Sequence, residues 1–133
     1  MSGFTLANLK KDVEDSAVKF GFSPALESRF ARGALETERV GISYQRIAPD
    51  PRAPFGHHHG AQEEIYVILG GGGRAKLDDE IVELKPFDAL RVAPDVTRAF
   101  ESGPHGLELL AFGSGDGGLE DAEVVPGWWA EAD

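Results

Sequence analysis

Two histidines and a carboxylate stand close together in a stretch that alternates like a β-strand. The stretch holds three consecutive histidines and two consecutive glutamates: His57, His58, His59, Glu63 and Glu64. Alternate side chains of a strand point to the same face, so His57 and His59 share a face and His58 points away. Two imidazoles and one carboxylate form a mixed nitrogen and oxygen set that suits zinc, nickel, iron or manganese. The pattern therefore predicts a divalent metal site.

Either glutamate can supply the carboxylate, and we favour Glu64. Glu64 immediately precedes an apolar run and would share a strand face with Tyr66 and Ile68. The other face of the run, formed by Ile65, Val67 and Leu69, would then point outward and need a cover.

Length, charge and cysteine content limit the class of protein. The chain has 133 residues, which is enough for one domain with its own core. It has no cysteine, so disulfides and thiolate metal ligands are excluded. A formal net charge of −10 opposes binding to nucleic acid or to anionic membrane surfaces. We expect a cytoplasmic protein, since no apolar run reaches the length of a signal peptide core or of a membrane span.

Helical signals are confined to the first part of the chain. Residues 10–20 have helix-like apolar spacing that Gly21 ends, and Ser23-Pro24 is a typical start for a short helix that Gly33 would close. We therefore divide the chain into an N-terminal arm with short helices over 1–39, a β-barrel over 40–113 and a tail over 114–133.

The middle of the chain alternates short apolar runs with turn residues. This cadence predicts an antiparallel sandwich or barrel. Gly103 to Gly106 is interpreted as a hairpin turn at the surface, and Gly70 to Gly73 as a bulge or sharp bend. The predicted strands are Val40 to Ala48, Glu64 to Leu69, Arg74 to Leu77, Ile81 to Leu84, Ala89 to Ala93, Thr97 to Glu101 and Leu107 to Phe112.

Two motifs in this region resemble those of the cupins. Gly56 to His59, Glu64 and Gly71 match the first cupin motif, and Pro86 to Asp88 with Pro94 to Arg98 match the second. The resemblance covers about residues 40–112 and is to small single-domain cupins of the conserved-barrel type, most of which have no assigned reaction. It implies an all-β jelly-roll barrel, often dimeric, that holds a divalent metal on two histidines, the glutamate and a third histidine.

The second motif departs from the cupin pattern at three positions. Arg98 stands where the third histidine is expected, and a guanidinium has no lone pair to give a metal. The full four-ligand site is therefore absent, leaving His57, His59 and Glu64. Phe87 and Asp95 stand where glycines are usual, which costs little if their turns accept ordinary residues.

Two function classes remain open, and we favour the first, whose reaction is unassigned. In the first, the metal binds or activates a small molecule whose carboxylate or phosphate pairs with Arg98. In the second, the protein is a binding or sensory module without catalysis, whose pocket binds a small polar or anionic molecule without metal while Arg98 pairs with Glu64. Tyr66 and Tyr44 are candidate substrate-binding residues beside Arg98. We also expect a homodimer, because of the outward apolar face and the paired tryptophans Trp128 and Trp129.

Overall fold

The computed structural model describes residues 3–19, 21–22, 24–49, 62–114 and, as backbone alone, 55–59 and 122–126. Strands are the main regular structure of the described chain, with two one-turn helices near its start. The helices are α1 (Ser16–Lys19) and α2 (Arg32–Leu35), and the strands are β1 (Leu26–Phe30), β2 (Val40–Ile47), β3 (Phe55–His59), β4 (Glu64–Leu77), β5 (Glu80–Leu84), β6 (Ala89–Val92), β7 (Arg98–Ser114) and β8 (Ala122–Pro126).

Strand β7 is the centre of the sheet. Its second half pairs with β2, its first residue pairs with β3, and almost its whole length pairs with β4. The main path runs β1-β2-β7-β3-β8, and β4 also pairs with β5 and β6. All these pairings are antiparallel, which confirms the all-β prediction, but within the described strands the ladder is open and does not close into a complete barrel.

Glycines bend the β4–β7 pair in its middle. The register between these strands shifts between Ile68 and Gly70 and again between Gly71 and Gly73. Gly71 has φ of 70°, and a Cβ at this position would lie 2.0 Å from the carbonyl oxygen of Gly106. Only glycine allows both this dihedral angle and this approach of two backbones. The predicted bend at Gly70 to Gly73 is therefore present, as a double bulge.

The bend folds the long strand pair over on itself. Phe100 is in register with Ala75, which is about 30 Å beyond Tyr66 along a straight strand. Nevertheless the Tyr66 and Phe100 rings meet edge to face, with centroids 4.9 Å apart. The two halves of β4 and β7 thus face each other across the core, which includes Ile47, Ile68, Ala75, Leu84, Val92, Leu107 and Leu109.

The two faces of β4 are divided as the alternation predicts. Tyr66 and Ile68 are buried in the core, whereas Ile65 and Leu69 on the other face are 41% and 39% exposed. This outward apolar face continues onto β7, because Ile65 is in register with Phe112.

The N-terminal region corrects one prediction. The helix expected after Ser23-Pro24 is wrong, because Leu26–Phe30 is strand β1, paired with β2 from Leu26 opposite Ile47 to Phe30 opposite Ser43. The helix start signal of Ser23-Pro24 depends only on neighbouring residues, whereas strand β1 is held by its hydrogen bonds to β2, which is distant in the chain. Of the described residues in the predicted helix over 10–20, Ser16–Lys19 alone are helical.

Two turn predictions are also corrected. Gly103 to Gly106 is not a hairpin, because β7 runs through it without reversing and bends opposite the β4 glycines. Phe87 has φ of 72°, so its turn does not accept ordinary residues without strain.

No helix in the described part of the chain has the length and apolar character to cross a bilayer.

Candidate functional site

Three side chains from opposite ends of the folded strand pair converge in the interior. Arg98 is in register with Leu77, at the far end of β4 from Glu64. A straight strand would hold these ends about 43 Å apart. Because the pair is folded over, Nη2 of Arg98 lies 3.5 Å from Oε1 of Glu64, which also accepts a hydrogen bond from the Tyr66 hydroxyl. The sequence named all three residues as site candidates, and the structure brings them together.

Arg98 is held from the backbone side. Its Nη1 donates to the carbonyl oxygen of Val96 at 2.8 Å and approaches that of Pro94 at 3.4 Å. Both carbonyls belong to the turn that leads into β7. Arg98 has 0% of its surface exposed, so its charge is removed from solvent and fixed in direction. Nε and Nη2 have no hydrogen-bond partner within the described residues.

Tyr66 is a neutral donor. Burial raises the pKa of its phenol well above the usual value, and the neighbouring charge of Glu64 raises it further, whereas Arg98 acts in the opposite direction. The phenol therefore stays protonated over the physiological range and can donate its one hydrogen, which goes to Glu64. Together, the cluster offers a fixed cation, an engaged carboxylate and a neutral hydroxyl.

The two consecutive glutamates have different environments. The Glu63 side chain is 51% exposed and pairs with Arg91 at 3.2 Å, whereas that of Glu64 is 14% exposed and faces the cluster. This agrees with the preference for Glu64 as the inward residue.

The histidine side chains lie outside the described part of the structure, but the backbone of the strand that carries them is described. In β3, His57 is in register with Arg98 on one side and with Val124 on the other, and His59 is in register with Ala122. The β-strand predicted for the histidine run is therefore present, and position 57 is adjacent to Arg98 in the sheet.

The described residues do not by themselves form a metal site. Within them, no three histidine, aspartate or glutamate side chains come together. Oε1 of Glu64 accepts from Tyr66 and lies 3.5 Å from the Arg98 guanidinium, so two neighbours already engage this oxygen. Arg98 stands at the position of the third histidine of the cupin motif. Its guanidinium repels a cation, whereas an imidazole would bind one.

Tyr44 lies away from this cluster. It is in register with Leu110, and Leu110 with Val67, so Tyr44 shares the sheet face opposite to that of Tyr66. Its hydroxyl donates to Glu108, and the Lys10 ammonium lies 5.0 Å from the ring centre. The structure thus does not bring Tyr44 together with Arg98 and Tyr66.

Sequence reasoning missed Phe100 and the two carbonyls that hold Arg98. Phe100 follows Arg98 by two residues in a strand, and this spacing could have placed both on one face. Backbone carbonyls leave no signal in the residue types. Two clefts of about 210 and 370 Å³ lie at the glycine bend and share Gly71 and His105, and neither is lined by the Arg98 cluster.

Comparison with known proteins identifies the fold. No family model matches the chain, and no curated protein matches it. Among solved structures, a cupin protein from Bacteroides fragilis is 25% identical, with a TM-score of 0.70 over 90% of each chain.

Two enzymes with this fold are also similar in structure. The polyketide cyclase RemF from Streptomyces resistomycificus is 17% identical, with a TM-score of 0.71 over 92% of this chain and 84% of that one. Streptomyces Pac13, a nucleoside dehydratase solved with uridine, is 12% identical, with a TM-score of 0.74 over 95% and 93%.

These likenesses confirm the jelly-roll fold that the motifs implied. They extend over 90% or more of this chain, including the N-terminal residues before β2. The particular subtype of conserved barrel is not established by them. The chain is a small member of the cupin superfamily.

Proposed function

We propose that the protein binds a small polar or anionic molecule in its interior, at the cluster of Arg98, Glu64 and Tyr66. The observation that carries this proposal is the complete burial of Arg98 with Nε and Nη2 unpartnered within the described chain. A buried charge normally has its hydrogen-bonding groups satisfied, so a donor pair held this way is typical of a binding site. The polyketide cyclase RemF and the nucleoside dehydratase Pac13 have this fold, and their activities on small molecules support a small-molecule ligand here.

The proposed site binds without requiring a metal. Glu64 balances part of the charge of Arg98, and Tyr66 fixes the orientation of that carboxylate. The cluster is therefore organised before a ligand arrives, which lowers the entropic cost of binding.

The two tyrosines of the chain test where the site lies. A panel of small polar metabolites is screened by ligand-observed NMR and by thermal shift against wild type, Tyr66→Phe and Tyr44→Phe. Each variant removes one hydroxyl, from the inner face and from the outer face respectively. We expect Tyr66→Phe to alter the affinity of the hits and Tyr44→Phe to leave it unchanged. The proposal is wrong if no compound binds, or if Tyr44→Phe alone changes binding.

A second candidate is a divalent zinc, nickel, iron or manganese ion held by His57, His59 and Glu64. The observation that favours it is the register of His57 with Arg98, whose guanidinium touches Glu64. We expect the wild-type protein to bind such an ion weakly, because Arg98 repels a cation and engages the carboxylate.

Replacing Arg98 by histidine tests this candidate. Arg98→His removes the repulsion and adds an imidazole, so we expect at least about tenfold tighter zinc binding, which corresponds to about 1.4 kcal/mol. Adding Glu64→Ala should remove the gain. Zinc titrations of the metal-stripped proteins measure this, and equal affinities in wild type and Arg98→His would exclude a metal beside position 98.

We also propose a homodimer. The exposed apolar residues Ile65 and Leu69 form a continuous outward face with Val67 and Phe112, and burying this face against a second copy would stabilise it. Light scattering at micromolar concentrations tests this, and a monomer mass would contradict it. The predicted contribution of Trp128 and Trp129 falls outside the described residues.

A further inference from the structure

The unpartnered nitrogens of Arg98 define the shape of the group that they would bind. Nη1, the nitrogen on the same side as the aliphatic stem, is used by the carbonyls of Val96 and Pro94. The remaining two, Nε and Nη2, carry N–H bonds that point in parallel along one edge of the planar guanidinium. This edge has no hydrogen-bond partner in the described part of the chain.

Glu64 is not hydrogen-bonded to that edge. Its Oε1 is 3.5 Å from Nη2, which is longer than the about 2.7–2.9 Å of the charge-assisted hydrogen bonds in a bidentate pair. The same oxygen accepts the hydroxyl hydrogen of Tyr66. Glu64 therefore forms an ion pair with the guanidinium without a hydrogen bond, and within the described residues the parallel Nε and Nη2 donors make no hydrogen bond.

The charge around the donors limits the charge of a ligand. Arg98 is the one cation of the cluster, and Glu64 already compensates part of it. A negatively charged ligand would be attracted by Arg98 and repelled by Glu64. The repulsion grows with the charge of the ligand, so a monoanion is favoured over a dianion. The Tyr66 ring and the adjacent Phe100 ring supply apolar surface beside the guanidinium, which further disfavours a strongly hydrated dianion.

We infer that the protein binds the carboxylate of a small monocarboxylic acid, with its two oxygens on Nε and Nη2 of Arg98. This inference rests on the proposed interior site and narrows its ligand to one chemical class. A planar carboxylate matches two parallel donors, and it satisfies both buried nitrogens at once. A neutral amide offers one acceptor oxygen to the same pair and leaves the other donor unsatisfied.

The test uses acetate, acetamide and methylphosphonate, which are similar in size and differ in charge and shape. Protein labelled with ¹⁵N-arginine is titrated with each, and the Nε–H signal of Arg98 is followed. We expect acetate to shift this signal and to bind at least about tenfold more tightly than either other probe. Arg98→Lys keeps the charge but lacks the parallel donors, and should weaken acetate binding at least about tenfold. Arg91→Lys, at an exposed arginine, is the matched control and should bind acetate as wild type does.

The outcomes separate this inference from the proposed function. Equal binding of acetate and acetamide, or preference for methylphosphonate, would overturn the carboxylate inference while the interior site stands. The metabolite screen could also find neutral ligands at the site that leave the Arg98 Nε–H signal unmoved. This result would reject the carboxylate inference and leave the proposed interior site in place. If Arg98→Lys does not fold, the wild-type titration still decides, because the Nε–H signal either responds to acetate selectively or does not.

Discussion

Replacing Phe87 by glycine should stabilise the protein. Phe87 occupies the third position of the turn Lys85-Pro86-Phe87-Asp88, which the amide of Asp88 closes by donating to the carbonyl of Lys85 at 3.0 Å. Proline in the second position and φ of 72° in the third are the features of a type II turn, in which glycine is preferred at the third position. The phenyl ring is 87% exposed, so it offers little burial to offset the strain.

The size of the effect follows from two opposing quantities. A left-handed conformation costs a residue with a Cβ about 1–2 kcal/mol. Glycine lowers the free energy of unfolding by about 0.4–1 kcal/mol, because it increases the entropy of the unfolded chain. The net expected gain for Phe87→Gly is about 0.5–1 kcal/mol, or a rise of roughly 2–5 °C in Tm for a domain of this size.

Urea unfolding of wild type, Phe87→Gly and Phe87→Ala separates strain from loss of the ring. Phe87→Ala removes the ring but keeps the Cβ, so it should stay within about 0.5 kcal/mol of wild type. At an ordinary strand or turn position alanine is the more stable of the two small residues, whereas at positive φ the order reverses. A glycine variant less stable than the alanine variant would refute the type II assignment.

Substitutions of Tyr44, Gly71 and Gly70 should also change the free energy of unfolding in predictable ways. Burial and a hydrogen bond to Glu108 raise the pKa of Tyr44, so above about pH 10 the unfolded chain loses protons that the folded chain keeps, and stability falls as pH rises. The stability lost between about pH 8 and about pH 11, measured by urea unfolding, should be smaller in Tyr44→Phe, and an unchanged loss would contradict the pKa shift. Gly71→Ala should cost about 3 kcal/mol or more, because its Cβ would meet the carbonyl of Gly106 at 2.0 Å at a positive φ. In Gly70→Ala the new Cβ would meet only the flexible Glu108 carboxylate, at 3.2 Å, so this control should cost less than about 1.5 kcal/mol. Urea unfolding of both glycine variants measures the two costs, and similar costs would contradict the close approach of Gly71 to Gly106.

The parts of the fold that the sequence predicts are those set by local alternation. The strand predicted at Val40 to Ala48 is β2, Val40–Ile47. The inward orientation of the Glu64, Tyr66 and Ile68 side chains follows from the alternation of side chains between the two faces of a strand. The pairing of Glu64 with Arg98 is part of one of the two function classes and rests on the cupin resemblance, because local alternation does not relate residues so far apart along the chain.

The parts that could not be predicted depend on distant partners. β1 begins at a proline-marked helix start signal, and only its pairing with β2 makes it a strand. Gly103 to Gly106 has the composition of a hairpin turn, but the β4 glycines opposite it let the strand continue through a bend. The dihedral angle of Phe87 has no signal in its residue type, because phenylalanine rarely adopts a positive φ.

The central place of β7 has a consequence for how the protein is made. The three strands that pair with β7, namely β2, β3 and β4, all precede it in the chain. During synthesis each of them leaves the ribosome before β7 exists, so the edge that will pair with β7 is still open. The strand path β1-β2-β7-β3-β8 can be completed only once residues 98–114 have emerged, so the pairing of β7 is a late, long-range step of folding.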